Sequence, residues 1–328
     1  MRIYKFNSIL KPVLWGGDKL LAFKRLPDLE EPIGESWELS AMSGRESIVA
    51  DGDDKGLTLT QLVQRYGAGL VGEDVYRCHG DAFPLLIKFI DARRDLSVQV
   101  HPDDAMARRL HGCSGKNEMW YVLQADGESV IRTGFSRDIS PEEYDRRVGD
   151  GTILEVINRF VSHQGDVFFI PAGQIHAIGS GNLVVEIQQS CDITYRVWDY
   201  DRRDADGNLR ELHTQQAREA LDFCARDCLV SDKPLISTGL SRLVRCPEFE
   251  VDRLEISNGR SLNLPLPHSF VAMVCIDGKT TLRAEGMPQV TLRQGETALV
   301  PAIVPLVEMD GTAELLMVSI PVDKETDL

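Results

Sequence analysis

The chain has 328 residues, 43% of them apolar, and a formal net charge of −15. That length accommodates two domains or one large one. The acidic balance argues against nucleic acid or an anionic membrane surface as partner, because both need basic patches. A small phosphorylated substrate, needing only a few local cations, stays compatible with it.

In chain order, GESWELSAM (residues 34–42) reads as a strand entered through a glycine turn. Residues 58–71 start as a helix that Gly67 and Gly69 should end. FPLLIKFIDA (83–92) is an apolar strand, and LSVQV (96–100) continues the sheet. HPDDAMARRLHG holds a short helix with Asp103 as cap and Gly112 as stop. EMWYVLQA (118–125) is a strand. In SPEEYDRRV, Ser140 caps a helix, Pro141 takes its first position, and Glu143 completes a capping box. Strands return over 152–160 and 163–200, and HTQQAREALDFC (213–224) is a helix capped by Thr214. Residues 225–245 link to a second strand-rich region from about 246, and VDKETDL forms a polar tail.

GDVFFIPAGQIH (165–176) and GETALVPAIVPL (295–306) share a Gly, five residues, Pro-Ala frame. Ile303 replaces Gly173 and Leu306 replaces His176, so the pattern predicts two related barrels, the second with its ligand position packed over by leucine. Seven cysteines without a CxxC read as reduced thiols of a cytoplasmic protein. Cys224 and Cys228 can share a helix face, but no further ligand cluster accompanies them. The N-terminus lacks the apolar core of a signal peptide, and no apolar run is long enough to span a membrane.

Four polar residues stand out inside strand-like sequence: Gln99, His101, Glu118 and His176. Buried imidazoles and a carboxylate are costly unless something pairs them, and a divalent metal does so. Gln99 and His101 are two apart on a strand and face one way, as do Lys116 and Glu118 if their strand begins early. The set suits zinc with one position open. Bland alternatives stand beside it. His101 can cap the turn at Pro102, Glu118 can pair with Lys116, and Gln99 can satisfy backbone groups. His176 can be an ordinary core histidine. Arg196 either pairs with a carboxylate or faces the cavity with Lys116, and Glu186 faces inward or pairs with an arginine. The remaining five histidines, His79, His111, His163, His213 and His268, read as surface or structural.

QVHPDD, GKNEMWYVL, PAGQIHAIG and ITYRVWDYDR, with KPVLWGG and GESWE, resemble the type I mannose-6-phosphate isomerases of the shorter bacterial kind, over nearly the whole chain. PAGQIHA alone resembles the second motif of the wider cupin superfamily. The resemblance implies an all-β dominated fold of two cupin (jelly-roll) barrels with helical additions. It divides into a catalytic domain over 1–225 and a degenerate, ligand-free domain over 226–328. It also implies one Zn2+ per chain on Gln99, His101, Glu118 and His176, with Arg196 and Lys116 catalytic. The implied reaction interconverts mannose 6-phosphate and fructose 6-phosphate through a cis-enediol, with the general base unassigned. Asn117 departs from the family, where proline is common. A monomer or weak homo-oligomer is expected, with no nucleic-acid or membrane partner. The rival readings are another metal-dependent cupin enzyme, such as an iron dioxygenase, and a sugar-binding protein without turnover.

Overall fold

The computed structural model describes residues 1–203, 207–226, 239–257 and 268–321, with the backbone of 229–230 and 264–265. Cys228 and the tail VDKETDL lie outside the described residues, as does much of the 225–245 link. The fold is β-dominated, with short helices between strands.

Among the described residues the strands form three antiparallel sheets, of nine, seven and five strands. The seven-stranded sheet runs, edge to edge, 229–230, Val167–Ile170, Glu118–Ala125, Asn182–Gln189, Leu85–Ala92, Ile33–Leu39, Ile9–Gly17. The five-stranded sheet runs Tyr195–Trp198, Val98–Val100, His176–Ile178, Val130–Phe135, Ile157–Val161. The nine-stranded sheet is built on two long strands, Val271–Arg283 and Leu306–Ser319.

Period-two alternation explains the stacking. On the Glu118–Ala125 strand, Met119, Tyr121 and Leu123 pack with Ala272, Val274, Leu316 and Val318 of the nine-stranded sheet. Trp120 and Val122 face the other way, onto Ile131 and Ile178 of the five-stranded sheet. The seven-stranded sheet is therefore a middle layer, and every residue of Leu85–Ala92 and Asn182–Gln189 is buried.

This corrects the expectation of two cupin jelly-roll barrels. Among the described residues no sheet closes on itself: each of the three strand orders ends in two edges, 229–230 and Ile9–Gly17 in the seven-stranded case. The physical reason lies in the middle strands. A barrel strand has one inward and one outward face, whereas these strands are covered on both faces by further open sheets. Alternation specifies which way a side chain points but says nothing about closure.

The second half departs from expectation at the repeat. Leu306 is not packed over a core position; it is 42% exposed, and Ile303 is 58% exposed. Both line an open apolar cleft of about 720 Å³ with Met1, Met287 and Pro305.

The local punctuation holds in most places. Glu118–Ala125 is a strand, Asp103 and Gly112 bound the helix Asp104–His111, and Ser140 Oγ accepts from Glu143 N ahead of Pro141–Gly149. The Glu143 carboxylate, expected to close the capping box, is instead taken by Arg137 and Arg147. The helix Thr214–Ala220 ends before Cys224, and its N-cap is His213, with no side-chain cap bond. Residues 153–156 form a 3₁₀ turn where a strand was expected.

Candidate metal centre

The centre lies between the middle and five-stranded sheets, at the end where Glu118 and His176 each begin a strand. His176 is directly opposite Gln99, and Gln99 is directly opposite Arg196. Residues opposite one another on adjacent strands share a face, so His176, Gln99 and Arg196 form one row. His101 comes immediately after the Gln99 strand.

Across from that row, Glu118 meets both imidazoles. Its Oε2 lies 3.3 Å from His101 Nε2 and its Oε1 lies 3.4 Å from His176 Nε2. All three residues are buried, and their donor atoms lie within 4.8 Å of one another. Each imidazole is oriented by its other nitrogen: His101 Nδ1 donates to Ile193 O at 2.9 Å, and His176 Nδ1 to Gln174 O at 2.8 Å. With that N–H spent on backbone, the Nε2 lone pairs point at Glu118. Trp120 closes the space edge-on against His176, with ring centroids 5.4 Å apart.

The turn that delivers His176 is pinned to the same site. Gly173 N donates to His101 O at 2.9 Å. Its φ is +86°, and a Cβ there would sit 3.0 Å from Ala220 O, so a glycine is required. Asn117 holds the turn from the opposite side, its Oδ1 accepting Ala172 N at 2.7 Å. A proline at 117 offers no such acceptor.

Electrostatics favour cation binding. Burial pushes His176 down to about 3, and burial with the Lys116 ammonium lowers His101, so both rings are neutral. Burial alone raises the Glu118 carboxyl, but Lys116 and the two histidines outweigh it and hold it well below the ordinary range. His101 Nε2, His176 Nε2 and both Glu118 oxygens are buried without a directed hydrogen bond. Lys116 Nζ, 2.9 Å from Glu118 Oε2, is an ion-pair contact only. Two neutral nitrogens and a carboxylate left unsatisfied in a dry site fit a divalent cation. Donors around a tetrahedral ion at about 2.0–2.1 Å stand roughly 3.3–3.4 Å apart, which matches the two spacings found.

Behind Glu118 runs a file of buried charges. Lys116 Nζ is 3.9 Å from Glu186 Oε1, Glu186 Oε1 is 2.7 Å from Lys88 Nζ, and Glu186 Oε2 accepts Trp120 Nε1 at 2.9 Å. Glu186 faces inward and is paired with a lysine rather than an arginine. Lys88 was missed; its one signal is a lysine inside the otherwise apolar FPLLIKFI. Burial pulls its ammonium down, but Glu186 and Glu35 override that and raise it. His213, read as surface or structural, accepts from Arg196 N at 3.2 Å through its Nδ1 and so steadies that strand. Arg196 Nη1 donates to Glu211 O at 2.6 Å, while its Nε is buried and unpartnered. Burial, then the neighbouring Arg210, lowers its guanidinium from the usual range.

Glu35 ends the file. Burial raises its carboxyl, but Lys88, Lys11 and the Trp37 indole N–H prevail and hold it at about 2. A depressed folded-state pKa contributes stability fully present above the unfolded value near 4.5 and lost as pH falls toward 2. Urea unfolding free energy should therefore fall more steeply between those pH values in the wild type than in Glu35→Gln. Parallel curves would remove Glu35 from the acid transition.

Comparisons with known proteins all point one way. The family pattern described as "Phosphomannose isomerase type I, catalytic domain" matches residues 3–131. The chain is 32% identical to a mannose-6-phosphate isomerase of Bacillus subtilis over 316 residues, covering 95% of this chain and 97% of that one. It is 34% identical to the mannose-6-phosphate isomerase of Streptococcus mutans over 312 residues, covering 94% and 96%. A crystal structure of the mannose 6-phosphate isomerase from Bacillus subtilis superposes with a TM-score of 0.88 at 30% identity, over 98% of this chain and all (100%) of that one.

Proposed function

The chain belongs to the type I phosphomannose isomerase family, and on that premise we propose that it interconverts mannose 6-phosphate and fructose 6-phosphate at the His101–Glu118–His176 centre. The observation that carries this reading is the convergence of two neutral imidazoles and an ionised carboxylate, buried and unsatisfied, beside a buried lysine.

The reaction moves a proton between C2 and C1 of the open-chain sugar through a cis-enediol. A divalent cation held by His101, Glu118 and His176 would withdraw charge from the adjacent sugar oxygens. The donor set and its spacing favour Zn2+, one per chain, and Gln99, directly opposite His176 on the neighbouring strand, would add an amide oxygen. Lys116 places an ammonium against Glu118 Oε2, inside the protein, where a positive charge acts strongly on a developing oxyanion. Arg196 keeps an unpartnered Nε while its Nη1 is tethered to Glu211 O, so its guanidinium is positioned before substrate arrives. Lys116 and Arg196 are the residues assigned to the chemistry.

All of these residues precede 226, which supports a catalytic unit over 1–225 and a unit without metal ligands over 226–328. Two N-terminal strands, Tyr4–Asn7 and Ile48–Val49, nonetheless belong to the nine-stranded sheet of the second half. Among the described residues no helix is long and apolar enough to cross a membrane. We assign the protein to the cytoplasm, as a monomer or weak homo-oligomer, in keeping with its free thiols and acidic charge.

The test is a coupled assay for fructose 6-phosphate from mannose 6-phosphate, on chelator-stripped protein and on protein reloaded with zinc. Turnover should vanish and return; no turnover in the loaded protein overturns the reading. Arg196→Ala should lower kcat by roughly 10²–10³-fold, the loss typical of one oxyanion-stabilising donor, with metal content unchanged. Near-normal kcat would take Arg196 out of the chemistry.

A further inference from the structure

We propose that Cys113 and Cys191 form an oxidisable thiol pair whose closure into a disulfide lowers activity at the metal centre. The two Sγ atoms lie 3.9 Å apart, although 78 residues separate them in sequence. A disulfide needs an S–S distance of about 2.05 Å, so side-chain rotation must bring the sulfurs about 2 Å closer. Cys113 is partly exposed and lines a cavity of about 890 Å³, whereas Cys191 is buried. Burial pushes the Cys191 thiol up to about 12, so Cys113 is the sulfur that meets an oxidant first.

The step balances with a peroxide. The Cys113 thiol reduces hydrogen peroxide, giving a sulfenic acid and one water. The Cys191 sulfur then attacks the sulfenic sulfur, the S–S bond forms, and the hydroxyl leaves as a second water. Two thiol hydrogens and two electrons are lost, and one peroxide is consumed.

Both cysteines are tied to the site through short pieces of backbone. Cys113 opens the Cys-Ser-Gly link from the Asp104–His111 helix to Lys116, and Gly115 N is held by Asp104 Oδ1 at 2.6 Å. Cys191 Sγ accepts from Ile193 N at 3.4 Å, and the Ile193 carbonyl is the acceptor that orients His101. Drawing the sulfurs together therefore strains the carriers of Lys116 and of the His101 tautomer at once. The effect on turnover rests on the isomerase reading; the covalent step does not.

The experiment treats zinc-loaded, full-length protein with hydrogen peroxide and maps peptides without reduction. A Cys113–Cys191 cross-linked peptide should appear, about 2 Da lighter than the two reduced peptides together, with turnover down at least about five-fold and restored by dithiothreitol. Cys113→Ser, and independently Cys113→Ala, should keep the untreated turnover and lose the reversible inhibition. A cross-link from Cys113 to Cys78, which lines the same cavity, or no cross-link, overturns the proposal. So does a Cys113–Cys191 cross-link that leaves turnover unchanged. If untreated protein shows no isomerase turnover, the functional reading fails, while the mass measurement still decides the thiol pair.

Discussion

Glu118→Gln should strip the protein of bound metal and lower kcat/KM by about 10³-fold or more, equivalent to roughly 4 kcal/mol of transition-state stabilisation. The substitution keeps shape and volume, so only charge and acceptor capacity are tested. Glu118 spans the two imidazoles with one oxygen each, at 3.3 and 3.4 Å, and among the described residues is the single anion in contact with both. Losing its charge leaves only neutral donors, too weak a set to offset the desolvation of a divalent ion. It also leaves Lys116 without its 2.9 Å partner, to be drawn toward Glu186. Metal analysis after dialysis reads the first effect and the coupled assay the second. Thermal unfolding with and without a chelator gives an independent check, because a bound ion stabilises only the folded state. The chelator should lower Tm in the wild type and leave Glu118→Gln unmoved. A variant that retains one ion per chain would show that the carboxylate is not a ligand.

The second large effect is expected at Lys88. Its ammonium and Glu186 are both almost fully buried, 2.7 Å apart and directly opposite each other on neighbouring strands. Removing one member of such a pair strands the other charge in a dry interior, at about 3–5 kcal/mol. Lys88→Met should therefore destabilise by that amount in urea unfolding. Adding Glu186→Gln should recover much of the loss, because the amide oxygen still accepts from Trp120 Nε1 while the carboxylate stranded opposite position 88 is gone. Additive single and double variants, within about 0.5 kcal/mol, would mean the two charges do not depend on one another. Activity should change in parallel: freed from Lys88, Glu186 competes with Glu118 for Lys116 from 3.9 Å away. A fall of roughly 10–100-fold, as for supporting groups behind metal ligands, should accompany the lost stability in Lys88→Met.

The parts of this site that sequence alone revealed are those whose chemistry conflicts with their surroundings. His101, Glu118 and His176 each interrupt an apolar run, and a buried imidazole or carboxylate demands a partner, so their convergence was legible. Lys88 interrupts an apolar run as well. A lysine, however, can bury its stem and carry its charge to water, so position alone did not distinguish a solvated end from a buried pair. The caps at Asp103 and Ser140 were legible because they act over three residues. The end of the Thr214–Ala220 helix was not, because the path of the chain beyond Ala220 is set by contact with the Gly173 turn, where Asp222 N donates to Gly173 O. Barrel closure depends on which sheets lie beyond a strand's second face, and residues 85–92 read as apolar in either arrangement.

The middle sheet has a consequence for how this enzyme can change. Lys88 and Phe89 are neighbours in the chain, yet one pairs with Glu186 behind the candidate metal centre and the other belongs to the core shared with the second half. A shift in the backbone between them moves both storeys of the building. Selection for a different sugar, or a designer seeking one, therefore has little freedom to reshape the middle-sheet wall of the candidate metal centre. Variation should be channelled instead into segments outside the middle sheet, where no second tenant shares the same peptide bonds.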